Sequence, residues 1–277
     1  MTTTIFAQDP LSTPTHDVLE TAASLLANRR GNGLIGPRLA STARPSDFDS
    51  AFALQQQMAA TLAQPVIGWK CLLPTVEKQI VAPMFGHELS EFPATSCALY
   101  PSPLTASLGL ARVEPELALR LQQDLPPRTL PYTEAEIDAA IGSTHLALEL
   151  IQSRFAQESD ASFLEQLADG LFNQGLYLGP AIEPALLSTP GSDSAFALEL
   201  HLADGSVINK AAVHPNQKAR AGLYWLVNFL STRGIGLSAG QVVITGSYAG
   251  VLDLPFDQHI RFQYGHLGQF QLRFVAK

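Results

Sequence analysis

Apolar positions recur at helical spacing over the first 65 residues and at strand-like spacing over most of the rest. From His16 to Arg30, Val18, Leu19, Ala22, Leu25 and Leu26 fall on one helical stripe, and Arg29, Arg30 and Gly31 supply a cationic last turn and a stop. A second helix is predicted from Ser46, whose hydroxyl can cap the amides near Asp49, through Phe52, Leu54, Met58 and Leu62 to Pro65. From Val66 the pattern changes to short β-rich runs broken by Gly, Pro and Asp. These predict strands at 66–71, 79–85, 112–121, 144–152, 176–178, 196–202, 207–213, 242–245, 260–264 and 270–275. Helices are predicted at 133–141, where Thr133 and Glu136 make a capping box, at 162–168, and at 217–232, ended by Gly234. Asp204-Gly205 and the stretch from Gly265 to Gly268 read as hairpin connections. The expectation is an α+β fold with two parts, an N-terminal helical lobe over 1–65 and a strand-rich body of mixed or antiparallel pairing over 66–277. A doubly wound nucleotide fold does not fit this pattern.

Composition narrows the function. Of 277 residues only 15% are charged, against 46% hydrophobic, which leaves little charge to cover a monomer and predicts a homo-oligomer. The net charge of -8 and the lack of any Lys/Arg run argue against nucleic-acid partners and anionic membrane surfaces. A small-molecule ligand fits better. Cys71 and Cys97 sit in apolar stretches with no CxxC pair, as expected in a reducing compartment. Met1 to Pro14 carries no basic segment followed by an apolar one, and no apolar run approaches the roughly 18 residues that span a bilayer. A cytoplasmic protein without membrane attachment is expected.

The most informative stretch runs from Arg112 to Leu121. On a strand, Glu114 and Glu116 share one face while Val113, Pro115, Leu117 and Leu119 share the other. The two carboxylates then stand about 7 Å apart along the backbone, close enough to converge on one hard cation. Glu149 is a lone acid in the apolar run from His145 to Ile151, and such an acid is rarely buried without a partner. Three carboxylates without Cys or paired His ligands suit Mg2+ or Mn2+ better than Zn2+. The alternative is a solvated strand edge on which Glu114 and Glu116 pair with Arg112 and Arg120, and Pro115 favours an edge. Spacing alone leaves both open.

A wider set of residues resembles the 2-keto-4-pentenoate hydratase and 2-oxo-hexenedioate decarboxylase branch of the fumarylacetoacetate hydrolase superfamily. The set comprises Phe52-Ala53-Leu54-Gln55, Gly68-Trp69-Lys70, Val113 to Leu121, Leu148-Glu149-Leu150, Ala168-Asp169 with Gly175 and Gly179, His214-Pro215, and Val242 to Gly246. The resemblance implies a β-roll body of the fumarylacetoacetate hydrolase C-terminal type. It also implies Glu114, Glu116 and Glu149 as metal ligands and Lys70 as an active-site cation. Two departures stand out. Met84 precedes Phe85-Gly86 where the hydratases tend to have Asp, and Asn173-Gln174 stands where they have a Ser pair. His87, beside the missing acid, is therefore a candidate for proton transfer, and Asn173 and Gln174 are candidates for substrate binding. Thr245, Gly246 and Ser247 can bind a substrate carboxylate through backbone amides or make a tight turn. His145 should share a strand face with Glu149, as a satisfied core histidine or a partner of a metal ligand, and the stripe of Leu223, Trp225, Leu226 and Phe229 reads as core or interface. The expected activity is a Mg2+- or Mn2+-dependent lyase, a hydratase of a short 2-hydroxy-dienoate or 2-oxo acid as in aromatic meta-cleavage catabolism. A 2-oxo acid decarboxylase, a C-C hydrolase and a non-catalytic oxo-acid-binding paralogue are the alternatives.

Overall fold

The computed structural model describes residues 16–101, 109–156 and 161–277. Five α-helices are present among them: α1 (His16–Asn32), α2 (Phe48–Leu62), α3 (Glu134–Ala140), α4 (Phe163–Ala168) and α5 (Ala219–Ser231). The strands are β1 (Val66–Leu72), β2 (Ile80–Phe85), β3 (Leu89–Glu91), β4 (Ser96–Leu99), β5 (Leu110–Leu121), β6 (Ile141–Ile151), β7 (Asn173–Ala181), β8 (Ala195–His201), β9 (Val207–Val213), β10 (Val242–Ile244), β11 (Leu252–Pro255), β12 (His259–Tyr264) and β13 (Gln269–Ala276). Among the described residues no helix is long and apolar enough to cross a membrane.

Two helix ends differ from the sequence reading. Helix α2 is capped by Asp47 rather than Ser46: the carboxylate accepts from the Ser50 amide, and the Ser50 hydroxyl oxygen accepts in turn from the Asp47 amide. Helix α1 passes through Gly31, and the left-handed backbone falls at Gly33 instead. Its Arg29 and Arg30 are buried, so they serve the interior rather than a solvated last turn. The predicted Thr133 capping box is present, and an analogous box of Ser162 and Glu165 opens α4.

The strands form two sheets. One runs β2-β1-β10-β5-β6-β7-β3, with β11 added to β5, and the other runs β4-β13-β12-β8-β9. Pairing is mixed, with β1–β10, β3–β7 and β4–β13 parallel and the remainder antiparallel. Alternation along β5 and β6 decides how the sheets meet. Val113, Leu117, Leu146, Leu148 and Leu150 face the second sheet and pack with Leu198, Phe262, Phe270 and Phe274. The opposite face of the same two strands carries Glu114, Glu116 and Glu149. Helix α5 lays Leu223, Leu226 and Leu230 against Trp69, Leu119 and Val243, so the predicted apolar stripe is mainly core, with Trp225 partly buried at its margin. Helices α1 and α2 share a cluster with Phe85, Phe155 and Ala168, which seats the helical segment against the body.

Pro115 sits inside the sheet rather than on an edge. Strand β5 pairs with β6 along its length, but its other side is shared by β10 at 118–120 and β11 at 110–113. A missing N–H costs nothing in the gap between them. The loop from Thr245 to Val251 fills that gap, and its Tyr248 amide donates to the Pro115 carbonyl at 2.9 Å.

Candidate active site

The β5–β6 register sets Glu114 directly opposite Glu149. Directly opposed like charges destabilise a sheet, and Glu116 on the same face adds a third. One oxygen from each of the three lies within 4.8 Å of the others. Glu116 and Glu149 are fully buried and Glu114 partly so. The alternative pairing with strand arginines is not realised: Arg112 bonds Asp253 at 3.1 Å and Arg120 bonds Glu91 at 2.5 Å.

Lys70 reaches this group from β1. Its Nζ donates to Glu149 Oε1 at 2.6 Å and to the Leu171 carbonyl at 3.1 Å, and its side chain is 12% exposed. Asn173 Nδ2 donates to the same Glu149 oxygen at 2.9 Å, while buried Glu149 Oε2 has no hydrogen-bond partner. Glu116 Oε2 accepts from the Gly246 amide at 2.8 Å. Burial first, and the neighbouring Glu149 charge second, push Glu114 up to about 7 and Glu116 well above the usual carboxylate range. Burial works to lower the Lys70 ammonium, but Glu149 and Glu114 outweigh it and hold the amine above its ordinary value. Lys70 is therefore a protonated donor here.

A cavity of about 370 Å³ opens onto these four side chains. Its walls include Leu72, Ile80, Phe163, Leu171 and Val251, and Lys78, Gln166, Phe172 and Ser247 also line it. A polar floor under apolar walls suits a small acid with a hydrocarbon tail. The carbonyl that holds Lys70 belongs to an unusual turn: Gly170, Leu171 and Phe172 all have positive φ, at 88°, 53° and 66°. Such backbone costs on the order of 1–3 kcal/mol per non-glycine residue and clusters at functional sites.

With this geometry in view, the chain is 31% identical over 245 residues to a 2-keto-4-pentenoate hydratase of Burkholderia vietnamiensis, covering 84% of this chain and 87% of that one. The chain belongs to the 2-keto-4-pentenoate hydratase family. A 2-oxo-hept-4-ene-1,7-dioate hydratase of Escherichia coli is 25% identical over 198 residues, 69% of this chain and 68% of that one. No protein-family model matches the sequence. In three dimensions the chain superposes on the 4-oxalocrotonate decarboxylase of Pseudomonas putida G7, complexed with magnesium and adipate, with a TM-score of 0.71 at 17% identity, over 94% of this chain and 98% of that one. This likeness extends the family assignment to the fold, which is the mixed, strand-rich α+β type that the motifs imply.

Within this family frame, Lys70, Glu114, Glu116 and Glu149 come together, with Gly246 and Ser247 at the cavity wall. The other candidates stand elsewhere. His87 occupies a one-turn helix at Gly86–Glu88, 3.6 Å from Glu88, and does not line the cavity, so the geometry gives it no proton to transfer there. Gln174 is spent on backbone: it accepts from the Tyr100 amide and donates to the Tyr100 and Ile151 carbonyls. Asn173 is buried behind Glu149 and touches the carboxylate rather than the cavity. Thr245 is buried against His214. The Asn216 amide donates to His214 Nδ1, so Nε2 carries the proton and donates to the Thr245 carbonyl. His145 is satisfied by the Gly179 carbonyl and the Ser143 hydroxyl. Met84 packs with Ala118, Ala147 and Ile244. Sequence reasoning missed Arg30, which reads as a helix-end cation, and the Gly170–Phe172 turn, whose non-glycine residues carry no signal for positive φ.

Proposed function

We propose that the protein is a divalent-metal-dependent hydro-lyase that adds water to a short 2-hydroxy-dienoate or its 2-oxo tautomer. The carrying observation is the group of three clustered glutamates on the floor of a small cavity, with Lys70 bonded to one of them. Glu114, Glu116 and Glu149 would hold the ion, and the partnerless, buried Glu149 Oε2 is the atom most in need of one. Oxygen-only donors favour Mg2+ or Mn2+. When bound, such an ion supplies Lewis-acid stabilisation of negative charge on substrate oxygens.

The chain's own residues do the rest. The Lys70 ammonium uses two N–H groups on Glu149 and Leu171, which leaves the third for an anion developing on the substrate's C2 oxygen. Ketonisation of the dienol makes a conjugated enone, and water adds across it. Leu72, Ile80, Phe163 and Leu171 hold the hydrocarbon end and exclude bulk water, while Ser247 offers a hydroxyl at the wall. No histidine lines the cavity among the described residues, so the His-acid pair that would activate water for C-C hydrolysis has no candidate there. This favours the hydratase over the hydrolase.

Purified protein with Mg2+ is expected to consume 2-hydroxypenta-2,4-dienoate, with turnover lost on chelation and in Glu116→Gln. Carbon dioxide released from 2-oxo-3-hexenedioate without any hydration would move the reading to decarboxylation. Oxalate binding without turnover of either compound would mean a binding protein.

A further inference from the structure

Behind Glu149 runs a buried polar chain that neither the cavity nor the proposed chemistry uses. One Arg30 terminal nitrogen, delivered by α1, lies 2.6 Å from Glu88 Oε2 and donates to Asn173 Oδ1 at 2.9 Å. Asn173 Nδ2 donates onward to Glu149 Oε1 at 2.9 Å and to the Gly175 carbonyl at 3.3 Å. Arg30, Glu88, Asn173 and Glu149 are all buried, so none of these bonds is traded freely with water.

The chemistry of the neighbours fixes which way the carboxamide points. A guanidinium has donors only, so the Asn173 atom against it is the oxygen. A carbonyl is an acceptor only, and Glu149 Oε1 already accepts from Lys70, so the atom facing both is the nitrogen. A flip of Asn173 would set donor against donor on one side and acceptor against acceptor on the other. Arg30 is in turn pinned by the ion pair with Glu88, which a free asparagine would lack.

We infer that Arg30 and Asn173 are positioning residues for the metal centre: Arg30 orients the Asn173 carboxamide, and Asn173 holds Glu149 so that one oxygen is occupied by donors and Oε2 is left for the ion. Glu149 then serves as a one-oxygen ligand of fixed direction. This gives Asn173 a task in place of the substrate contact that its position in the sequence suggests. The inference rests on the proposed metal site.

Titration of metal-free protein with Mn2+, read by the electron paramagnetic resonance signal of the free ion, tests it. Asn173→Leu, close in volume but without donors, is expected to weaken Mn2+ binding by about 10- to 100-fold, the usual range for a group that orients a ligand. Arg30→Met/Glu88→Gln removes both charges together, so neither is left buried alone. It is expected to weaken binding by a smaller factor, and to add no further loss on top of Asn173→Leu, because Arg30 acts through Asn173. Should Asn173→Leu fail to fold, Asn173→Ser, too short to reach Glu149, carries the same expectation. A role confined to structure would lower the melting temperature of the metal-free protein and leave Mn2+ affinity unchanged. Binding that is lost in Glu116→Gln but unchanged in the Asn173 variant, or losses that add in full, overturn the positioning role and leave the metal site standing. No Mn2+ binding by the wild type overturns both.

Discussion

Glu114 and Glu149 face one another across a ladder in which like charges repel, and Glu116 adds to the strain. Lys70 offsets one charge of the three and leaves an excess that a divalent ion would neutralise. This sets opposite expectations for the two donors on Glu149 Oε1. Asn173 is neutral, so its removal costs orientation alone. Lys70 is a cation beside the ion's place, so Lys70→Met removes a repulsion and should leave Mn2+ affinity equal or tighter. The same substitution should lower kcat by on the order of 10² or more, the scale of general acid and electrostatic groups. Steady-state kinetics and Mn2+ titration on one preparation check both halves. An unchanged kcat would hand the proton and charge chemistry to another group, and weaker Mn2+ binding would show Lys70 to be mainly a brace for Glu149.

At the level of elements, the site depends on how closely β1 and β10 approach. A Cβ on Gly68 would overlap the Val242 carbonyl of the paired strand. The obstacle is backbone on a buried strand, so no rotamer change relieves it. Gly68→Ala should therefore destabilise by roughly 3 kcal/mol or more, among the larger effects of a single substitution. Thermal melts would show this as a large fall in melting temperature or as insoluble protein, whereas a near-wild-type melt would mean that the two strands can part without cost. Gly68 also illustrates what was legible in the sequence. The Gly68-Trp69-Lys70 run divides its work, since Gly68 admits β10, Trp69 packs under α5 and Lys70 enters the site. Alternation made β5 and β6 readable and put the three glutamates on common faces. The short strands β3, β4 and β11 fall outside the predicted strand ranges: only the apolar stretch around Cys97 points to β4, and β11 ends on Pro255, a residue that argues against a strand. Pro115 suggested an edge because sequence does not reveal that two strands divide one side of β5 between them. Arg30 and Asn173 lie 143 residues apart in the chain, and no local pattern announces such a pair.

For the molecule as a whole, the cost of the site should appear as a dependence of stability on pH when no divalent ion is bound. Burial pushes Glu114 to about 7 and raises Glu116 as well, against an ordinary value of 4.5 that both regain on unfolding. Between about 4.5 and 7 the folded chain therefore holds more protons than the unfolded chain. The stability these two groups provide is present below 4.5 and is lost as pH rises through that window. His87, His145 and His214, of which only His214 is fully buried, act in the opposite sense. Burial lowers each of them, so their share of stability is full above the usual 6.5 and falls as pH drops below it. Subtracting the profile of a Glu114→Gln/Glu116→Gln variant from that of the wild type cancels the histidines and isolates the carboxylates. In chelator-treated protein, the wild-type melting temperature should fall relative to the variant from pH 5 to pH 8. A divalent ion competes with the same protons, so the rise in melting temperature produced by Mg2+ should grow over that interval and vanish in the variant. A difference profile that is flat, or that rises with pH, would mean that the glutamates are ionised without penalty in the metal-free protein.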